Sequence, residues 1–210
     1  AWAAQRSGLY FVALSSRLTL AEIDYIARDC GAKVLIAGAD LPNTAALPTS
    51  LSDLALFSLG GAMTGFRVWE DEVAGQPSTR IADEVAGGEM LYSSGTTGRP
   101  KGIRPELPAD GDITAMPMTT VVAKTRFAVD EASVYLCPAP LYHAAPLRWS
   151  MAVQHLGGTV VLMEKFDAEL ALAAIDRHGV THSQWVPTHF IRILKLPAEV
   201  RAKYDVSTLK

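Results

Sequence analysis

The chain predicts an α/β protein, with mainly parallel sheets flanked by helices, and two stretches carry that expectation. In the first, Thr19-Leu20-Ala21-Glu22 is a capping-box pattern, with a hydroxyl placed to cap and a carboxylate three residues on. Leu20, Ile23, Ile26 and Ala27 then recur at helical spacing, and Gly31 is placed to end the helix. Residues 33–37 follow as a short apolar run, the pattern of a buried strand. In the second stretch, residues 158–163 read as a strand and 167–178 as a helix capped by Asp167. Residues 180–185 read as another strand, and 187–196 as a helix opened by Pro187. Strand, helix, strand, helix is the rhythm of a parallel crossover.

The remaining elements follow in order. Residues 39–48, rich in Pro, Asn and Ala, read as a loop. Residues 51–57 and 66–69 read as strands separated by the Gly60-Gly61 turn, and 75–81 as a polar connection. Residues 89–92 read as one strand end leading into a Ser/Thr/Gly-rich segment. Residues 104–112 carry two prolines and several charges and should be irregular and exposed. Residues 113–127 have helical character interrupted by Pro117, 132–137 read as a strand, and 147–156 as a helix beyond Pro146. Two subregions are expected, about 1–130 and 131–210.

Composition narrows the function classes. The 210 residues are 49% apolar and 20% charged, ordinary for a globular chain. A formal charge of −3 argues against nucleic-acid binding, which needs a cationic face. Any polyphosphate must therefore be held by a local arrangement of donors. Cys30 and Cys137 form no CxxC pair, which excludes a typical structural zinc site and fits a reducing compartment. No run reaches the roughly 18 apolar residues of a spanning helix. Residues 1–14 lack the pattern of a signal peptide, so a cytoplasmic enzyme is expected. The chain begins Ala1-Trp2 and stops in a polar connection, so it is expected to be an interior piece of a longer protein, 1–210 of one domain. An oligomer is compatible with the sequence.

Residues 92–102, YSSGTTGRPKG, carry the chemistry. Gly95, Gly98 and Gly102 allow the positive φ and close backbone approach that turn N–H groups toward an anion. Ser93, Ser94, Thr96 and Thr97 add hydroxyls that donate to phosphate or ligate Mg²⁺. Lys101 supplies a flexible point charge, and Arg99 a second cation. A Ser/Gly-rich linker is the bland alternative. A strand directly before the segment and a Gly-Arg-Pro-Lys-Gly close after it weigh against that. The kinase-type GxxxxGK[ST] loop fails on spacing: counted from Gly95, Pro100 and Lys101 stand where Gly-Lys is required. No Gly-x-Gly occurs here for a dinucleotide site. His143, in a Pro-bounded segment, reads on its own as a partly buried structural histidine. His178 and His182 straddle a helix end and do not form a metal face. Trp149 and Trp185 read as core aromatics, and Met116, Met118, Met151 and Met163 as packing residues.

The 90–102 segment resembles the signature loop of the adenylate-forming superfamily, which includes acyl- and aryl-CoA synthetases, luciferases and peptide-synthetase adenylation domains. Pro140-Leu141-Tyr142-His143, the segment 157–167, Val186-Pro187-Thr188, and the segments 18–30 and 204–209 resemble further motifs of that family in family order. The resemblance leans toward AMP-forming acyl-CoA synthetases and implies a partial N-terminal AMP-binding domain. It implies ATP, Mg²⁺ and CoA as cofactors, and a small carboxylic acid, of the fatty type, as substrate. It implies nucleotide contacts from Ser93, Ser94, Gly95, Thr96, Thr97, Gly98 and Lys101, a Mg²⁺ contact from Ser93, and a place for His143 at the mouth of the acyl pocket. The family's YGxTE segment, its ribose-binding Asp, and its C-terminal domain with the adenylating Lys have no counterpart in these residues. No catalytic set is therefore complete, and the chain is expected to be inactive alone. An adenylation domain loading an amino or aryl acid on a carrier protein is an alternative. A non-catalytic nucleotide- or acyl-binding relative is another.

Overall fold

A computed structural model describes residues 1–42, 44–93 and 99–210. They form two compact units, Ala1–Ile113 and Thr114–Lys210.

The first unit opens with α1 (Trp2–Gln5) and β1 (Tyr10–Phe11). Helix α2 (Leu20–Asp29) starts as its sequence requires: the Thr19 hydroxyl accepts from the Glu22 N–H, and the Glu22 carboxylate accepts from the Thr19 N–H at 2.8 Å. The Thr19 N–H, and after it the Thr19 hydroxyl at 2.8 Å, donate to the Glu22 carboxylate and hold that carboxyl below its usual range. Gly31, at φ +65°, lets the chain leave the helix. Strand β2 (Val34–Gly38) follows, then α3 (Leu47–Ser50) and β3 (Ala55–Leu59). The strand expected at 51–57 is thus displaced. Pro48 in the first turn of α3 favours helix there, and Leu51, completely buried, belongs to the turn after it. Strand β4 (Arg67–Val68) is cut short because Trp69 begins α4 (Trp69–Ala74) and meets the Phe57 ring edge-on at 5.7 Å. Strands β2, β3 and β4 form one parallel sheet in that order, with Val34 opposite Ala55 and Phe57 opposite Arg67.

Ala27, Leu47, Leu51 and Leu56 make the core between α2, α3 and this sheet. Each fully buried leucine contributes about 2 kcal/mol of transfer free energy. The opposite side chains of β2, Val34 and Ile36, are about half exposed, so the run expected to be buried is covered on one face only within this unit. The stretch 89–92, expected as one strand, divides into two. Strand β5 (Gly88–Glu89) runs parallel to β1, while β6 (Leu91–Ser93) pairs antiparallel with β7 (Lys101–Ile103). Met90, between them, still donates its N–H to the Phe11 carbonyl at 2.9 Å.

The second unit is a three-layer α/β arrangement. Helix α5 (Met118–Phe127) begins only after Pro117, which takes the capping position. Strand β8 (Val134–Cys137) leads to α6 (Ala144–His155), β9 (Thr159–Leu162), α7 (Ala168–His178), β10 (His182–Ser183), α8 (Pro187–Leu194) and α9 (Ala198–Arg201). The sheet is parallel throughout, ordered β10-β8-β9. Central β8 shows the alternation of a strand buried on both faces. Tyr135 and Cys137 pack on Ala123, Ala152 and Val153 of α5 and α6, whereas Leu136 packs on Ala171, Leu172 and Ile175 of α7. Helix α6 starts earlier than expected, at Ala144, because Pro146 falls in the first turn, where its missing N–H costs nothing.

Trp149 and Trp185 pack against these cores as expected, and Met163 does too. Met116 and Met118 do not, being 45% and 74% exposed, because they flank the proline that delays α5. No described helix is long and apolar enough to cross a membrane.

Helix α7 shows how local sequence sets an element's limits. The Asp167 carboxylate accepts from the N–H groups of Glu169 and Leu170 at 3.0 and 2.9 Å, and Gly179, at φ +58°, ends the helix. Asp167→Ala should therefore cost about 1 kcal/mol in a denaturant melt, and Asp167→Asn much less, because Asn still accepts. Equal losses for the two would show that the cap bond contributes little.

Candidate nucleotide-phosphate site

The strands on either side of the Ser/Thr/Gly segment, β6 and β7, form an antiparallel pair. Leu91 lies opposite Ile103, Tyr92 opposite Gly102, and Ser93 opposite Lys101. Ser93 and Lys101 are therefore cross-strand neighbours on one face, one strand spacing apart, about 5 Å. Ser94, Gly95, Thr96, Thr97 and Gly98, all expected as nucleotide ligands, lie outside the described residues.

Ser93 and Lys101 are exposed, and among the described residues Lys101 has no carboxylate partner. A hydroxyl and a free ammonium side by side at the hairpin end suit an anionic polyphosphate: one donates a hydrogen bond, the other supplies compact positive charge. No group of three or more His, Cys, Asp or Glu able to hold a metal occurs among the described residues. Any Mg²⁺ held here would need phosphate oxygens and hydroxyls as ligands, the pattern usual for that ion.

The hairpin is fixed from below. Tyr92 donates its hydroxyl to the Asp29 carboxylate of α2. Burial, followed by that hydrogen bond, pushes the Tyr92 phenol well above its ordinary pKa, so it remains a neutral donor. Tyr25, one turn earlier on α2, donates to the Pro100 carbonyl at 3.3 Å, and the Arg99 guanidinium lies 5.3 Å from the Tyr25 ring centre. Beyond the hairpin, residues 104–112 are irregular and mostly exposed as expected, but they are anchored. Tyr10 donates to the Pro105 carbonyl at 2.5 Å, and Arg104 lies 5.2 Å from the Tyr10 ring centre.

Gly102 has a different role from the one its sequence suggests. Its φ lies outside the left-handed region, so no special backbone conformation requires glycine. A Cβ there would stand 2.4 Å from Met90 Cε, and 2.9 and 3.0 Å from Cζ and the hydroxyl of Tyr92. The missing side chain makes room for the Tyr92 ring to lie across the strand opposite it.

His143 is in the second unit, exposed at the capping position of α6. Its ring is 4.4 Å from that of Tyr142, and its side chain does not cap the helix. The structure thus brings together Ser93 and Lys101, while His143 belongs to another unit. His178 ends α7, and both ring nitrogens of His182 are already engaged, with Thr181 and the Phe127 carbonyl, each at 2.8 Å. Sequence reasoning missed Tyr25 and Asp29. The signal was there: two polar-tipped residues four apart on α2, off its apolar stripe.

The model of the AMP-binding enzyme family matches residues 1–210. The chain belongs to the AMP-binding enzyme family. Among similar AMP-binding enzymes is a feruloyl-CoA synthase of an Amycolatopsis species, 34% identical across 100% of this chain and 39% of that protein. The crystal structure of the anthranilate CoA ligase AuaEII in complex with anthranoyl-AMP superposes with a TM-score of 0.76, at 25% identity, over 97% of this chain and 40% of that one. The amide bond synthetase McbA of Marinactinospora thermotolerans superposes with a TM-score of 0.78, at 23% identity, over 99% and 40% of the respective chains. The chain thus spans 39% of the length of this curated relative. Its mixed α/β fold, parallel sheets flanked by helices, is that of its structural neighbours.

Gly102→Ala should destabilise the chain by about 1–3 kcal/mol, because both Met90 and the Tyr92 ring must yield to the added methyl. Thermal melting checks this; an unchanged midpoint would show that the ring and thioether have room to move.

Proposed function

We propose that this chain is the phosphate-loop portion of an ATP-dependent acid–thiol ligase. The observation that carries this reading is the cross-strand register that sets Ser93 opposite Lys101, in a chain of the AMP-binding enzyme family. In the reaction a carboxylate oxygen of the acid attacks the α-phosphorus of ATP, and the bond to pyrophosphate breaks. The thiol of CoA, as thiolate, then attacks the acyl carbonyl, and AMP leaves with the bonding electron pair. Lys101, Thr96 and Thr97 hold the β- and γ-phosphates, with Ser94 and the backbone at Gly95 and Gly98 completing the cradle. The Ser93 hydroxyl would be a ligand to Mg²⁺, which would supply charge neutralisation. His143 borders the acyl pocket. A reaction consuming ATP and CoA suits the cytoplasm.

The acid is the finer question. The motifs lean toward a fatty acid, but 34% identity to a feruloyl-CoA synthase along the whole chain favours an arylpropenoic acid as the first substrate. The remaining catalytic groups are assigned to parts of the family's architecture beyond this 39% share, so the 210 residues alone should not turn over.

The test supplies ATP, Mg²⁺, CoA and a panel of arylpropenoic and fatty acids, and follows AMP and CoA thioester. The full protein carrying this chain should form a thioester with at least one acid, and the isolated chain with none. Lys101→Met should lower kcat/KM for ATP on the order of 100-fold, as for loss of a preorganised charge at a transferring phosphate. A full protein that forms no thioester from any acid would remove the ligase reading, and turnover by the isolated chain would refute the need for further groups.

A further inference from the structure

Both ends of the phosphate segment are tied to a single helix by side chains that neither bind nor react in the scheme above. Tyr25 and Asp29 stand four residues apart on α2 and so project from one stripe. Asp29 accepts from Tyr92, the residue before Ser93, while Tyr25 donates to the carbonyl of Pro100, the residue before Lys101. Arg99 rests over the Tyr25 ring and adds a third tie on the returning side. The helix is itself immobilised. Its apolar stripe is buried at Ile26 and Ala27, its start is capped, and Arg28 binds both Asp24, at 3.1 Å, and the Ser50 carbonyl, at 2.8 Å. Gly102 removes the side chain that would displace the Tyr92 ring from Asp29.

We propose that Asp29, Tyr92 and Tyr25 are positioning residues for polyphosphate binding, which set the direction in which Ser93 and Lys101 leave the hairpin stem. None of the three is asked to touch the nucleotide. They act by holding the two ligands and the ends of the intervening segment in a fixed register, so that less conformational freedom is lost when a polyphosphate binds. A hydroxyl that donates to a carboxylate makes a charge-assisted hydrogen bond, stronger than a neutral pair would form. The proposal rests on the ligase reading only in taking MgATP as the ligand.

The experiment measures MgATP affinity by titration calorimetry, and melting temperature, in the full protein and its Tyr92→Phe, Asp29→Ala, Asp29→Asn and double Tyr92→Phe/Asp29→Ala variants. Tyr92→Phe keeps the ring over Gly102 and removes only the hydroxyl. Tyr92→Phe and Asp29→Ala should each weaken MgATP roughly fivefold, as for loss of one partly exposed charge-assisted bond. The double variant should be no weaker than the worse single one, because both changes remove the same tie. Asp29→Asn, which can still accept, should recover most of the affinity, and KM for the acid should not change. Affinities equal to the parent's, whatever happens to the melting temperature, would overturn the proposal, as would losses that simply multiply in the double variant. If the variants weaken MgATP but the full protein activates no acid, positioning stands and the ligase reading falls. If acids are activated and the variants leave MgATP affinity unchanged, the opposite holds.

Discussion

The contact on which the first unit depends is the grip of one helix on one hairpin. Helix α2 uses two faces for two purposes. Leu20, Ile23 and Ala27 join it to the core shared with α3 and the β2-β3-β4 sheet, where burial of apolar surface supplies the stability. Tyr25 and Asp29, on another stripe, carry that rigidity outward to Tyr92 and Pro100. A two-stranded hairpin is marginal in water by itself, so the three residue pairs of β6 and β7 need such a support. A segment rich in glycine, serine and threonine needs it more, because its own residues carry so little packing surface.

Much of the fold was legible in the sequence wherever a local rule coincided with burial. The Thr19–Glu22 box, the Asp167 cap, the glycines that end α2 and α7, and the parallel strands around residues 134–183 all follow from short patterns. The failures have a common cause. Where partners are distant in sequence, periodicity cannot reveal them. Residues 89–92 read as one strand, yet Glu89 pairs with Phe11 and Leu91 with Ile103, and that change of partner leaves no local trace. Prolines were misjudged in both directions. Pro146 reads as a barrier in the sequence, but it sits harmlessly in the first turn of α6, while Pro117 delays α5 and leaves Met116 and Met118 exposed.

The candidate site divides in the same way. The residues proposed as its ligands stand out in the sequence because hydroxyls, glycines and a lysine at close spacing have few other uses. The structure adds that Ser93 and Lys101 are cross-strand neighbours, a relation that the eight-position separation in sequence conceals. Its supports leave only a faint signal, two polar-tipped residues four apart on α2. Tyr25 and Asp29 lie more than sixty residues from their partners and carry no phosphate chemistry of their own. Gly102 shows the danger of reading residue type alone: it resembled a loop glycine chosen for backbone freedom, and it is a glycine chosen for the space it leaves to Tyr92.

Lys101 and Ser93 matter only if the hairpin end holds polyphosphate while an acid attacks the α-phosphorus. Acid-dependent exchange of labelled pyrophosphate into ATP reports that step directly, without the thiol. In the full protein carrying this chain, exchange should appear when a suitable acid is added, require Mg²⁺, and be nearly abolished by Lys101→Met. Exchange that persists undiminished without Lys101, or a protein that binds MgATP yet shows no exchange with any carboxylic acid, would contradict the assignment.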